Sequence, residues 1–149
     1  MWPKRLILIV VIVLVGMQFI PAKRNKSTVL LDTDITKSFT VPQEVQEIFK
    51  RSCYDCHSNN TVYPWYNKIQ PIGFLLENHI EKGKKELNFS TIGSYSNRKL
   101  KGKLKSIKSQ VSDAEMPLFS YTLIHSNAKL TKRDKVLIKQ WVAQILDSL

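Results

Sequence analysis

Five consecutive residues, Cys53-Tyr54-Asp55-Cys56-His57, constrain this chain more than any other feature, because they hold its only two cysteines. Cys53 and Cys56 stand at i and i+3, the spacing of one helical turn, so both sulfurs leave one edge of the backbone with an imidazole directly after them. Two cysteines are too few to staple a small secreted scaffold, which leaves a redox disulfide, a pair of metal ligands or a haem attachment site. A thioredoxin-like pair needs an α/β context with strands, and a closed zinc site needs four N or S ligands. His79 and His125 could complete such a set, but no second paired motif exists. CxxCH is the pattern in which two thiols carry a c-type haem as thioethers while the adjacent histidine binds iron. The expectation is therefore one covalent haem c per chain, held by Cys53 and Cys56, with His57 as an axial iron ligand.

The rest of the chain reads as helical. Pro42 opens a helix whose apolar residues Val41, Val45, Ile48 and Phe49 share one face, and which runs into Cys53. A second helix follows Pro71, with Ile72, Leu75, Leu76, His79 and Ile80 at helical spacing. Arg98 to about Val111 forms a third, with Leu100, Leu104, Ile107 and Val111 as its stripe. Thr131 N-caps a last helix with Val136, Leu137, Ile138, Trp141, Val142 and Ile145 on its core face. The segments SNNTVYPWY and ELNFSTIGSYSN, and the stretch around Met116 and Pro117, read as loops or irregular. No segment reads as a strand. The predicted fold class is all-α: a cytochrome c-like helical domain over residues 41–149 around one covalently bound haem, with a polar linker over 23–40 holding it off a membrane.

Residues 1–22 read as a membrane anchor or signal-anchor. Leu6 to Ile20 is an apolar run with Lys4 and Arg5 before it and Lys23, Arg24 and Lys26 after it. The sequence FIPAKRNK lacks the small-residue pattern of a cleavage site, so the expectation is an uncleaved N-terminal transmembrane helix. Basic residues on both flanks leave its orientation open. Haem c attachment in bacteria takes place outside the cytoplasmic membrane, which sets a single-pass inner-membrane protein with its domain on the extracytoplasmic, periplasmic side.

An electron-transfer haem usually has a second protein ligand, and Met116 is the candidate, with His79 and His125 as rivals. A vacant sixth position would instead suit a sensor or a small-ligand-binding protein. Tyr63, Trp65 and Tyr66 are candidates for walling the cofactor, and the Pro71 carbonyl, or a neighbour's, for orienting His57. The formal charge is +11, from 23 Lys and Arg against 12 Asp and Glu. That favours acidic surfaces, here a redox partner protein steered by Arg98, Lys99, Lys101, Lys103 and Lys105, or anionic headgroups. Nucleic acid is disfavoured, because no nucleic-acid-binding signature occurs and the aromatics sit near the cysteines and not among the lysines.

With these residues assembled, the chain resembles a family of small bacterial haem-binding domains related to class I cytochromes c and described as membrane-anchored. The resemblance covers about residues 42–147 and rests on CYDCHSNNTVYPWY, HIEKGKKELNFS, the Met116-Pro117 pair, and LIHSNAKLT leading into a helix ending near QWV. It implies an all-α domain with haem between its helices, His57 proximal and Met116 distal, and it implies no substrate. The expected function is one-electron transfer and not enzymatic catalysis, with a haem-based sensor and, further off, a CxxC thiol-disulfide oxidoreductase as alternatives.

Overall fold

Regular structure in the computed structural model, which describes residues 2–149, consists of helices, with no strand among the described residues. The first helix, α1 (Trp2–Met17), is apolar on every side, and Leu6 to Val15 are exposed around its whole circumference. Sixteen residues rise about 24 Å, short of the roughly 30 Å of a bilayer's hydrocarbon core. No helix among the described residues is long and apolar enough to cross a membrane, which corrects the transmembrane helix expected over 1–22. The helix stops early because Gln18 turns its amide onto the Leu14 carbonyl (2.8 Å) and onto Gln70 of the domain (3.0 Å).

The stretch read as a spacer is bonded to the domain. Asn25 donates to the Ser58 carbonyl (2.8 Å) and to Thr61 Oγ1 (3.0 Å), its carbonyl accepts from Thr61 N–H (3.0 Å), and its own N–H donates to Tyr63 Oη (2.6 Å). Further on, Asp34 caps the single-turn helix α2 (Ile35–Ser38) through Thr36 N–H, and Ile35 is fully buried. Short polar segments show no periodicity, so their long-range bonds left no trace in the pattern.

Four expected helices form: α3 (Gln43–Ser52), α5 (Ile72–Glu86), α6 (Asn97–Ser112) and α8 (Lys132–Ser148), with α8 opened by a capping box between Thr131 and Asp134. Between them lie the short α4 (Tyr54–His57), α7 (Phe119–Ile124) and 3₁₀ turns at Trp65–Lys68, Phe89–Ser94 and Ser126–Ala128. The stripe Leu100, Leu104, Ile107 and Val111 of α6 is buried, as its spacing predicts. The face of α5 differs: Ile80 is buried, whereas Ile72, Leu75 and His79 are exposed, because the first turns of α5 overhang the core. Val136 is likewise outside the core of α8. The segment read as irregular supplies Phe89 and Ile92 to the centre. Phe89 stacks on Phe49 (4.9 Å), which meets Trp141 edge-on (5.5 Å), and the indole N–H of Trp141 donates to the Thr40 carbonyl (3.1 Å).

Candidate functional site

Helix α3 does not run smoothly through the cysteine motif. At Cys53 the backbone takes φ −130° and ψ −40°, which ends α3 and starts the single turn α4. Cys56 and His57 N–H bond back to the Cys53 carbonyl (3.2 and 3.0 Å), so the five residues form one closed turn. Two apolar-walled cavities, of about 300 and 250 Å³, open beside it. Cys53, His57, Glu86 and Met116 line both, and Cys56 lines the second.

Burial sets the chemistry of these groups. It pushes the Cys53 thiol up to about 12, with the neighbouring Cys56 adding to the rise, and the Cys56 thiol up to about 11. Both are therefore protonated near neutral pH. Burial lowers His57, so its imidazole is neutral there, as a metal-binding imidazole must be. His57 Nδ1 lies 3.0 Å from the Leu87 carbonyl. A carbonyl only accepts, so Nδ1 carries the proton and Nε2 keeps its lone pair for a ligand role. This corrects the assignment of that contact to the Pro71 region: the fold brings residue 87 to the ring.

Met116 arrives in the same space through the end of α6. Ala114 adopts a left-handed φ of 59°, and the amides of Glu115 and Met116 both donate to the Gln110 carbonyl (3.0 and 3.2 Å). The first of these is the bond of a Schellman cap, which folds the chain back over the helix end. Of the two rival histidines, His79 lines only the second cavity and is exposed. His125 lines neither, because it is held by Tyr66 Oη (2.7 Å) and stacks on Tyr121 (4.4 Å). Tyr63 and Trp65, expected to wall the cofactor, also line neither cavity: Tyr63 Oη donates to Glu77 (3.0 Å), and Trp65 is 77% exposed. Closeness in sequence to CYDCH therefore does not put them at the cavity walls.

Three supporting residues were not singled out in the sequence. Asp55 accepts from Val62 N–H (2.9 Å) and from Tyr121 Oη (2.7 Å), tying the loop after His57 and helix α7 to the motif. Gly83 on α5 lies so close to the motif that an added Cβ would stand 2.7 Å from the Cys56 carbonyl oxygen. A glycine inside an otherwise helical pattern was the available signal, since such a residue often marks a close approach. Ser52 Oγ is buried at the wall of the second cavity and has no hydrogen-bond partner among the described residues. That orphaned hydroxyl, a neutral imidazole, a thioether and two thiols along apolar walls fit a flat apolar macrocycle with a metal at its centre, that is, a haem.

No curated protein and no solved structure matches this chain. A family model described as a haem-binding domain matches residues 12–144, so the match takes in the second half of α1 and the segment tied down by Asn25 as well as the helical body. The apolar clefts beside the CYDCH turn and this match over most of the sequence lead to one identification: the chain belongs to the haem-binding domain family.

Proposed function

We propose that this chain is a single-haem c-type cytochrome domain that carries one electron on the extracytoplasmic side of a bacterial inner membrane. In this reading Cys53 and Cys56 would hold the haem as thioethers, and His57 Nε2 and the Met116 sulfur would bind its iron. The observation that carries it is the meeting of Cys53, His57 and Met116 on the wall shared by the two apolar cavities. When bound, the haem supplies a one-electron couple at its iron, at a higher potential with a methionine ligand than with a second histidine.

The protein's own groups prepare that site. The Leu87 carbonyl fixes the orientation of the imidazole and raises its basicity as a ligand. Phe49, Phe89, Ile107 and Val111 give the first cavity its apolar wall. The raised thiols argue against a thiol-disulfide oxidoreductase, which works through a thiolate of lowered pKa. A methionine lining both cavities supports a filled sixth position over an open, ligand-sensing one.

The surroundings support a carrier more than an enzyme. Lys103, on the basic helix α6, lines the first cavity and pairs with Glu86 (3.2 Å), so the lysine-rich face borders the site where a partner's acidic surface would dock. Helix α1, apolar on all sides and unburied by the rest of the chain, supports association with lipid.

The test is expression of the full chain, with export, in a host that matures c-type cytochromes, followed by denatured intact mass and spectra of both redox states. Haem mass retained after denaturation, sharp reduced bands and a long-wavelength sulfur-to-iron band when oxidised are expected. Cys53→Ser with Cys56→Ser should abolish the retained mass, and Met116→Ala should keep it but lose the long-wavelength band. A mature, exported chain that binds haem only non-covalently would sink the c-type assignment.

A further inference from the structure

We propose that the domain face carrying Trp65, Ile69 and Ile72 rests on a lipid bilayer with anionic headgroups, so that the domain lies against the membrane and does not stand off it. The proposal rests on the reading that α1 brings the chain to a membrane.

The argument starts at Gln70. Its N–H donates to Gln18 Oε1 (3.0 Å) while Gln18 Nε2 donates to the Gln70 carbonyl (3.0 Å), and its side-chain amide approaches the Ile20 carbonyl (3.5 Å). This reciprocal pair fixes the end of α1 onto the domain, so no free spacer separates the two. Several of the side chains exposed around the junction are apolar. Ile69 closes the turn Trp65–Lys68, and Ile72 and Leu75 lie in the first turn of α5, on the two sides of Gln70 and Pro71. All three are exposed, as are Phe19 and Ile20 beside them.

Trp65 completes the patch. It is held edge-on against Tyr66 (5.9 Å), whose hydroxyl is in turn held by His125 (2.7 Å), so the indole projects from a braced turn. An exposed indole on such a support suits the bilayer interface, where its ring meets acyl chains and its N–H meets water. Single exposed aliphatics are ordinary on protein surfaces; six exposed apolar residues, Phe19, Ile20, Trp65, Ile69, Ile72 and Leu75, on the two segments that the Gln18–Gln70 pair joins are not. Lys23 and Lys26, shortly after Ile20 in the chain, and Lys68, next to Ile69, are exposed as well, which selects a bilayer with anionic headgroups over a neutral one.

The experiment uses the full haem-loaded chain with Trp2→Phe, so that Trp65 and the buried Trp141 are its tryptophans. It is mixed with phosphatidylcholine vesicles with and without phosphatidylglycerol, made with brominated or unbrominated acyl chains. Flotation reads the attachment of α1, and the ratio of emission between the two acyl types reads the depth of Trp65. The chain is expected to float and to lose most of its Trp65 emission in brominated vesicles, more so with phosphatidylglycerol. Trp65→Phe should abolish the quenching, and Ile69→Ser with Ile72→Ser, at exposed positions and with unchanged haem spectra, should float but lose it. A chain that floats with Trp65 unquenched overturns the proposal and assigns the patch to a second copy or another protein. A chain that does not float overturns it together with the membrane reading of α1.

Discussion

The two sides of the α3–α4 turn are built on opposite principles. On one side Trp141, Ile138 and Val142 are closed to solvent behind Phe49 and Phe89, whose rings stack at 4.9 Å and whose front edges wall the first cavity. On the other, Cys53, His57 and Met116 line open cavities with apolar walls, and the hydroxyl of Ser52 has no partner among the described residues. The difference teaches that a filled core sets the shape of the motif from behind, while the front is left short of contacts that a bound haem would supply. Stability of the polypeptide and capacity for the cofactor should therefore respond to different substitutions.

The largest expected effect falls on the closed side. Phe89→Ala removes the ring between Phe49 and Tyr54 and should cost about 3–5 kcal/mol, read as a fall in the denaturation midpoint of the haem-free chain. If its stability were unchanged, the closed side would not be setting the shape. A smaller loss that couples both sides is expected from Gly83→Ala, whose new methyl meets the Cys56 carbonyl and must push α5 away from α4. Overpacking of this kind costs about 1–3 kcal/mol, and it should also lower the fraction of chain that retains haem. A stable variant with full haem content would show that α5 does not brace the attachment turn.

The third effect tests the back of the domain by pH. Burial tends to raise the Asp134 carboxyl, but the Thr131 amide and hydroxyl and the Arg51 guanidinium (2.8 Å) outweigh it and hold the group below its ordinary 3.8. A depressed acid contributes stability that is present above the unfolded value and lost as pH falls through the folded one. Asp134→Asn should therefore flatten the loss of stability below pH 3.8 while leaving the front side unaffected. An unchanged acid limb would remove Asp134 from the account. The smallest effect is a gain: at the left-handed Ala114, Ala114→Gly should stabilise the α6 cap by about 1 kcal/mol, since only glycine takes that φ without steric cost. Thermal unfolding would show it, and no gain would mean that the turn carrying Met116 is not strained at this residue.

Much of the molecule was legible before any fold was known, for reasons particular to each element. The spacing of Leu100, Leu104, Ile107 and Val111 marks a single buried face because a helix repeats every 3.6 residues. Thr131 and Asp134 announce a helix start because a capping box is made within four residues. The motif read as a haem site lies beside two cavities, and Met116 reaches both. Where sequence and structure part, distance is the reason. Trp65 and Tyr63, near the motif in sequence, line neither cavity; no helix over 1–22 is long enough to span; and the linker read over 23–40 is bonded to the domain at Asn25.

What the sequence by itself determined is therefore local: the thiol-imidazole turn, the main helices and their caps, and the all-helical class. These follow from interactions between residues three or four apart, whose geometry the backbone dictates. Only the tertiary structure decided which carbonyl orients His57, that Asp55 fastens Tyr121 to the motif, that Gly83 admits α5, and that Gln18 and Gln70 clasp the root of α1. Those contacts join residues 27 to 66 positions apart, so they exist only once the helices have packed, and no pattern in the chain repeats at such distances.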